Sequence, residues 1–225
     1  MSFKLELSKA SYFADFVVYP LAIFASGFLL CVAPRGERPH IAVAVLSGII
    51  GWSLLEYILH RFILHGLEPF RSWHAEHHNR PYALIGTPTA ISATAIIVLI
   101  FVPALLISDL WLGTSFTLGV TAGYLGYACT HHAVHHWHAG SAWLKNRQRL
   151  HALHHHSSAA CQFGVITSLW DSVLVSRYRL HVDLARPTVR PRVNHLRRLA
   201  PSPISSSGTQ PTRGRRSGQD ATKGR

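Results

Sequence analysis

The sequence predicts an all-α protein built on four transmembrane helices, and three observations predict it. Charged residues make up 14% of the 225 positions and hydrophobic ones 48%, whereas a soluble domain carries about 25% charged residues. Four apolar runs, 16–33, 41–59, 89–107 and 110–129, reach or approach the roughly 20 residues that cross a bilayer. If both termini face the cytoplasm, only Arg35 and Arg38 of the 22 Lys and Arg residues fall outside. That asymmetry is the positive-inside pattern.

The elements follow in order. Residues 1–15 form a mixed-charge N-terminal segment (Lys4, Glu6, Lys9, Asp15). The run after it is long for the apolar core of a signal peptide and shows no small-residue cleavage site, so a retained first span is expected. The second run ends at the first of four histidine boxes. Only Ser108 and Asp109 separate the third and fourth runs, which predicts a tight helical hairpin. Residues 130–180 are His-rich, with short apolar stretches such as 163–169 suited to a membrane surface. The membrane-embedded domain is expected to span 16–185. Residues 186–225 are rich in Arg, Ser, Pro and Gly and predict a basic disordered tail.

Composition excludes several classes. Cys31, Cys129 and Cys161 are far apart with no CxxC pair, against a disulfide framework, a zinc ribbon or an iron–sulfur cluster. No dinucleotide fingerprint and no P-loop occurs, so any redox chemistry draws its electrons from an external donor. The basic tail has almost no aromatic residues to stack bases. Nucleic acid is therefore not expected as a partner, and weak attraction to anionic headgroups explains the charge better.

The chemistry lies in the histidines. Of 17, fourteen fall between His60 and His156, in the boxes HRFILH, HAEHH, HHAVHHWH and HALHHH. Neutral imidazole is the commonest protein ligand for a transition metal. Helical residues advance about 100° each, so i, i+3 and i+4 share a face. His74, His77 and His78 therefore converge on a helix, as do His151, His154 and His155. His131 and His135 share one face, and His132 and His136 a second. His60 and His65 lie about 140° apart on a straight helix; they serve two different metals, or the helix ends between them. The carboxylates between His60 and His156 are Glu68, Glu76 and Asp109, too few for a ferritin-like site with its four carboxylates. The site must be nearly all imidazole, which suits iron or zinc. His40, His181 and His195 are isolated. His132, His136, His138 and His156 are surplus: a plain polar role is the first reading for each, support of the ligands the main functional one, and His132 or His136 could instead take an expected ligand's place.

The pattern H-x4-H, H-x2-HH, H-x3-H, H-x2-HH resembles the fatty acid hydroxylase/sterol desaturase superfamily of membrane di-iron enzymes. It is most similar to the fatty acid 2-hydroxylase branch. That branch shows E-Y-x-x-H-R-x-x-x-H, here Glu56-Tyr57-x-x-His60-Arg61-x-x-x-His65, and a Tyr four residues before H-x3-H, here Tyr127. It also shows a Phe-Gly and a Trp-Asp after the last box, here Phe163-Gly164 and Trp170-Asp171. The resemblance covers residues 50–175. It implies metal ligands at His60, His65, His74, His77, His78, His131, His135, His151, His154 and His155. It also implies a cytosolic helical cap over four transmembrane helices, holding two iron ions, with zinc an alternative occupant on isolation. Glu56, Tyr127 and Asp171 are candidates to stand behind the ligands, Glu56 because it shares a helical face with His60. An interhelical hydrogen bond or a place along a substrate channel are the other roles open to Glu56.

The implied activity is O2-dependent hydroxylation of a lipid C–H bond, on an acyl chain near its carboxyl end. The resemblance implies a membrane lipid as substrate and a separate electron-transfer protein, because no haem-binding carrier domain is fused here. A carotenoid or sterol hydroxylase or desaturase shares the metal core and is the main alternative. A membrane metal-binding or transport protein is more remote, because transporters place ligands near the bilayer midplane and these lie at helix ends. The substrate, the hydroxylated carbon and the oligomeric state carry no signature in the sequence.

Overall fold

A computed structural model describes residues 6–157 and 161–174. The expected tail at 186–225 lies outside the described residues, as do His181 and His195. Helices dominate, and among the described residues the only β pairing is a single bridge between Glu6 and Ile85.

The chain opens with a short helix, α1 (Lys9–Phe13), capped by Ser8, whose hydroxyl accepts from the Ser11 N–H at 3.2 Å. It runs on into α2 (Asp15–Cys31). Pro34 leads into a tight turn at Arg35–Glu37, and α3 (Arg38–Ile58) starts with Pro39 in its first turn. There the missing N–H costs no helical bond. α3 continues as a π-helical turn, Leu59–Leu64. After α4 (Phe70–Asn79) come α5 (Thr89–Ile96), a second π-helical stretch (Ile97–Phe101) and α6 (Val102–Ile107). That stretch lies just before Pro103, which has no N–H to give and crowds the preceding turn. Asp109 accepts from Leu112 N at 2.9 Å and caps α7 (Leu110–His136). Ser141 caps α8 (Ala142–His156), and α9 (Leu169–Val173) closes the described chain.

Three helical stretches are long and apolar enough to cross a membrane: Lys9–Cys31, Arg35–Leu64 and Thr89–Ile107. The fourth expected span, 110–129, is helical but is not among them. The physical reason is its place in the fold. α7 is the central helix, packed on α2, α3 and α6. Its Gly, Ser and Thr positions, such as Gly113, Thr114, Ser115, Gly119 and Thr121, are buried against neighbours. A helix wrapped by helices is selected for close approach, and small residues lower its hydropathy. The outer helices show the converse, with Leu21, Phe24, Phe28, Leu46, Leu99 and Leu106 exposed.

The approach of α3 to α7 is closest at two glycines. A Cβ on Gly119 would strike the carbonyl oxygen of Val45, and one on Gly48 would strike that of Phe116. Further along, Trp52 lies over Gly123 and beside Tyr127, so the two helices run parallel. Around this seam Tyr19, Trp52, Val120 and Tyr124 form a buried cluster. A polar knot ties in the remaining helices. Asp15 accepts from Tyr124 Oη and from Thr89 Oγ1, each at 2.6 Å, and Tyr19 donates to Ser92 Oγ at 2.7 Å. Buried carboxylates persist where their lone pairs are met in this way.

Candidate metal centre

The π-helical turn answers the question of the first box. His65 N donates to His60 O at 3.2 Å, an i→i+5 bond. The wider turn stacks residues five apart, as an α-turn stacks residues four apart. His60 and His65 thus share a face, and the helix ends between them, at Leu64, with His65 as its C-cap. Both join His74 and His78 from α4 and His154 from α8 in one cluster. A second cluster holds His77 of α4, His135 of α7, and His151 and His155 of α8. In each, one nitrogen per residue lies within 4.8 Å of all the others. His131 stands beside the second cluster, its ring 4.8 Å from His77 and 5.1 Å from His151. The ten histidines expected as ligands are therefore brought together, nine inside the clusters and His131 at the edge of one.

Nitrogen separations show what the clusters can hold. Nε2 atoms approach at 3.0 Å for His60–His74, 3.1 Å for His65–His154 and 3.1 Å for His74–His78. In the second cluster they stand at 2.8 Å for His135–His151 and 3.0 Å for His151–His155. Ligands at right angles around a metal, at a metal–nitrogen distance of roughly 2.1 Å, lie roughly 3.0 Å apart. His60 Nδ1 donates to Phe163 O at 2.5 Å and His154 Nδ1 to Cys161 O at 2.9 Å. A carbonyl only accepts, so the proton is on Nδ1 and the Nε2 lone pair faces the cluster centre. Neither ring nitrogen of His77 has a hydrogen-bond partner although the residue is buried. A metal ion would satisfy such nitrogens, and the residues present fit one.

The electrostatics agree. Burial, followed by repulsion from neighbouring imidazoles, pushes the His77 imidazole down to about 3 and the His155 imidazole to about 2. Desolvation acts likewise on His135, at about 4, and on His65, also at about 4. The rings are held neutral, the form that binds metal.

Glu56 and Asp171 stand one step behind the clustered histidines. Glu56 Oε1 accepts from the N–H of Val165 at 2.6 Å and of Ile166 at 3.2 Å. Asp171 accepts from Phe163 N at 2.8 Å and Gly164 N at 3.0 Å. Together they hold segment 161–168, whose carbonyls orient His60 and His154. Gly164 is required there, since a Cβ would strike the Thr167 carbonyl. Tyr127 stacks on His131, centroids 5.6 Å apart. Arg61 donates to Tyr57 Oη and lies over the Phe163 ring.

The surplus histidines lie outside both clusters. His132 and His136 stack on each other at 4.6 Å, and His132 Nδ1 is 3.1 Å from Tyr12 Oη. The backbone carbonyls of Cys161 and Phe163 and the side chain of Arg147 carry no mark in the histidine pattern. Arg147 donates to Ser168 Oγ at 3.1 Å and so braces the same segment. Its place four residues before His151 is the one signal the sequence offers for it.

The fatty acid hydroxylase family model matches residues 45–176, more than half of the chain and all of the histidine boxes. The chain belongs to the fatty acid hydroxylase family. It is 31% identical over 178 residues to a dihydroceramide fatty acyl 2-hydroxylase of Arabidopsis thaliana, covering 70% of this chain and 67% of that protein. It is 31% identical over 183 residues to the fatty acid 2-hydroxylase of Macaca fascicularis, covering 74% and 47% respectively. The chain thus spans two thirds of the plant relative and under half of the macaque one. The fold matches a solved structure described as full-length Scs7p with only its hydroxylase domain visible. The TM-score is 0.62 at 18% identity, over 75% of this chain and 67% of that one. Membership and the three apolar helical stretches together make this an integral membrane protein of an oxidoreductase family.

Proposed function

We propose that the protein is a membrane di-iron oxygenase that hydroxylates carbon 2 of a lipid acyl chain. The observation that carries the reading is the pair of convergent imidazole clusters in a member of the fatty acid hydroxylase family. Its relatives' names, fatty acid 2-hydroxylase and dihydroceramide fatty acyl 2-hydroxylase, supply the substrate class. The ten histidines, His131 included, are the ligands in this reading. The bound iron pair would supply O2 activation, with electrons drawn from a separate donor protein.

The chain's own residues do the rest. Imidazoles held neutral by burial keep their Nε2 lone pairs available. Phe163, packed edge-on to the rings of His60, His65 and His154, keeps water from that position. Glu56, Asp171 and Tyr127 fix the ligands rather than touch the substrate. α7 serves as a fourth span, its small residues facing the other helices. Both termini face the cytoplasm, and on that side α4, α8 and α9 form a cap that holds the metals. Headgroup and first acyl carbons lie at that same interface, which favours reaction close to the carboxyl end.

The test is the lipid profile of a heterologous host expressing the protein with a reductase system. 2-Hydroxy fatty acids that require O2 and vanish in His154→Ala support the reading. Hydroxylated carotenoids or sterols with unchanged fatty acids overturn the substrate but leave the oxygenase chemistry standing.

A further inference from the structure

The two histidine clusters are built differently. The five-histidine position is fastened through the backbone. His60 and His154 are buried, and each is oriented by a carbonyl of segment 161–168 at 2.5 Å and 2.9 Å. That segment is clamped from two sides: Asp171, from α9, takes the N–H groups of Phe163 and Gly164, and Glu56, from α3, those of Val165 and Ile166. Phe163 is buried and seals the position.

Among the described residues the four-histidine position has no such fastening. The two carbonyls of the segment that meet imidazoles, those of Cys161 and Phe163, both go to the other cluster. The Nδ1 atom of His155 and both nitrogens of His77 have no hydrogen-bond partner. A pocket between α7, α8 and residues 81–82 opens onto His135, His151 and His155, its wall including Tyr82, Gln148, Ala152 and His156. Tyr82 and Ala152 are exposed at its rim.

Resting on the metal-binding reading above, we propose that the two metal positions exchange at different rates. Segment 161–168, clamped by Glu56 and Asp171, locks the ion held by His60, His65, His74, His78 and His154. The ion held by His77, His135, His151 and His155 enters and leaves through the pocket. Glu56 and Asp171 are positioning residues. They act through backbone N–H groups on the carbonyls that fix ring rotation and tautomer, and loss of such an outer contact lowers metal affinity by about 10- to 100-fold.

The experiment uses the full chain in detergent micelles, loaded with zinc, freed of excess ion and mixed with a chromogenic chelator. Two release phases of equal amplitude are expected, separated by about 10- to 100-fold in rate. Asp171→Asn should accelerate the slow phase alone. Asp171 is fully buried, so Glu56→Gln gives a second, independent loosening of the clamp. Ala152→Trp, at the exposed rim, should slow the fast phase alone. Release in a single phase overturns the proposal. So does equal acceleration of both phases by the clamp variants, or a fast phase indifferent to Ala152→Trp. A protein that binds no zinc overturns the metal reading itself, whereas two ions that leave together overturn only the inequivalence.

Discussion

His65 and His154 lie 89 positions apart in the chain and bring their Nε2 atoms to 3.1 Å. One comes from the π-helical end of α3 and the other from the last turn of α8. In the proposed reading they serve one metal position, so their losses should not add. His65→Ala, His154→Ala and the double variant should each lose the same one of two metal equivalents. Combining His65→Ala with His151→Ala should lose both. Metal content of purified protein decides it, and a double variant His65→Ala/His154→Ala with no bound metal would show that the clusters are not separate.

The α3–α7 seam leaves no room for a methyl group. Gly119→Val should cost about 1–3 kcal/mol by overpacking, or more where backbone is struck. Thermal unfolding in detergent measures it. Gly27, whose added Cβ would meet nothing within 4 Å, is the matched site, and Gly27→Ala should leave the unfolding temperature within a degree or two of the parent. Equal effects at the two positions would refute the close-contact account.

Metal-free protein should be acid-sensitive. Burial, then repulsion between rings, holds the imidazoles of His77 and His154 at about 3 each. The unfolded chain titrates near 6.5. Between those values the unfolded state binds protons that the folded state refuses, so folding weakens as pH falls. Stability of the stripped protein should be full above about pH 6.5 and decline progressively toward pH 4. Unfolding temperatures across that range test the sign, and a flat profile contradicts it.

Orientation can be read by cysteine labelling in a background with Cys31, Cys129 and Cys161 replaced by serine. Ser108 lies in the short turn before α7, and Ser72 lies in α4. With the metal centre on the cytoplasmic side, Ser108→Cys should react with an impermeant reagent from outside intact cells and Ser72→Cys should not. The reverse pattern inverts the topology.

Much of the metal centre is legible in the amino-acid sequence. Helical spacing groups His74, His77 and His78, and the structure parts them by face, with His77 in one cluster and His74 and His78 in the other. Spacing alone tells which residues share a side of a helix, and the partner helices decide which cluster they join. The His60–His65 interval is ambiguous at α-helical pitch, because the chain widens there into a π-helical turn. The place of Glu56 on the helical face of His60 is legible from its spacing. Its hydrogen bonds run to Val165 and Ile166, more than a hundred positions away, where periodicity has no reach. The Phe163-Gly164 and Trp170-Asp171 pairs read as separate marks in the chain, yet Asp171 bonds the N–H groups of the first pair. The packing role of α7 is hidden for a related reason. Apolar runs announce contact with lipid, whereas Gly113, Gly119 and Gly123 announce contact with protein, which a hydropathy reading scores as weakness.

The glycine contact between α3 and α7 has a mechanical side. Gly48 precedes His60, and Gly119 precedes His131, by the same dozen positions. From that contact each of the parallel helices runs about 18 Å to its histidine, at the helical rise of about 1.5 Å per residue. Each degree of splay between the helices moves the histidines by about 0.3 Å over such a length. Imidazole nitrogens tolerate little more than that before a coordination sphere fails. A bulky substitution at Gly48 or Gly119, deep among the helices, would displace the histidines of the candidate centre without touching one of them.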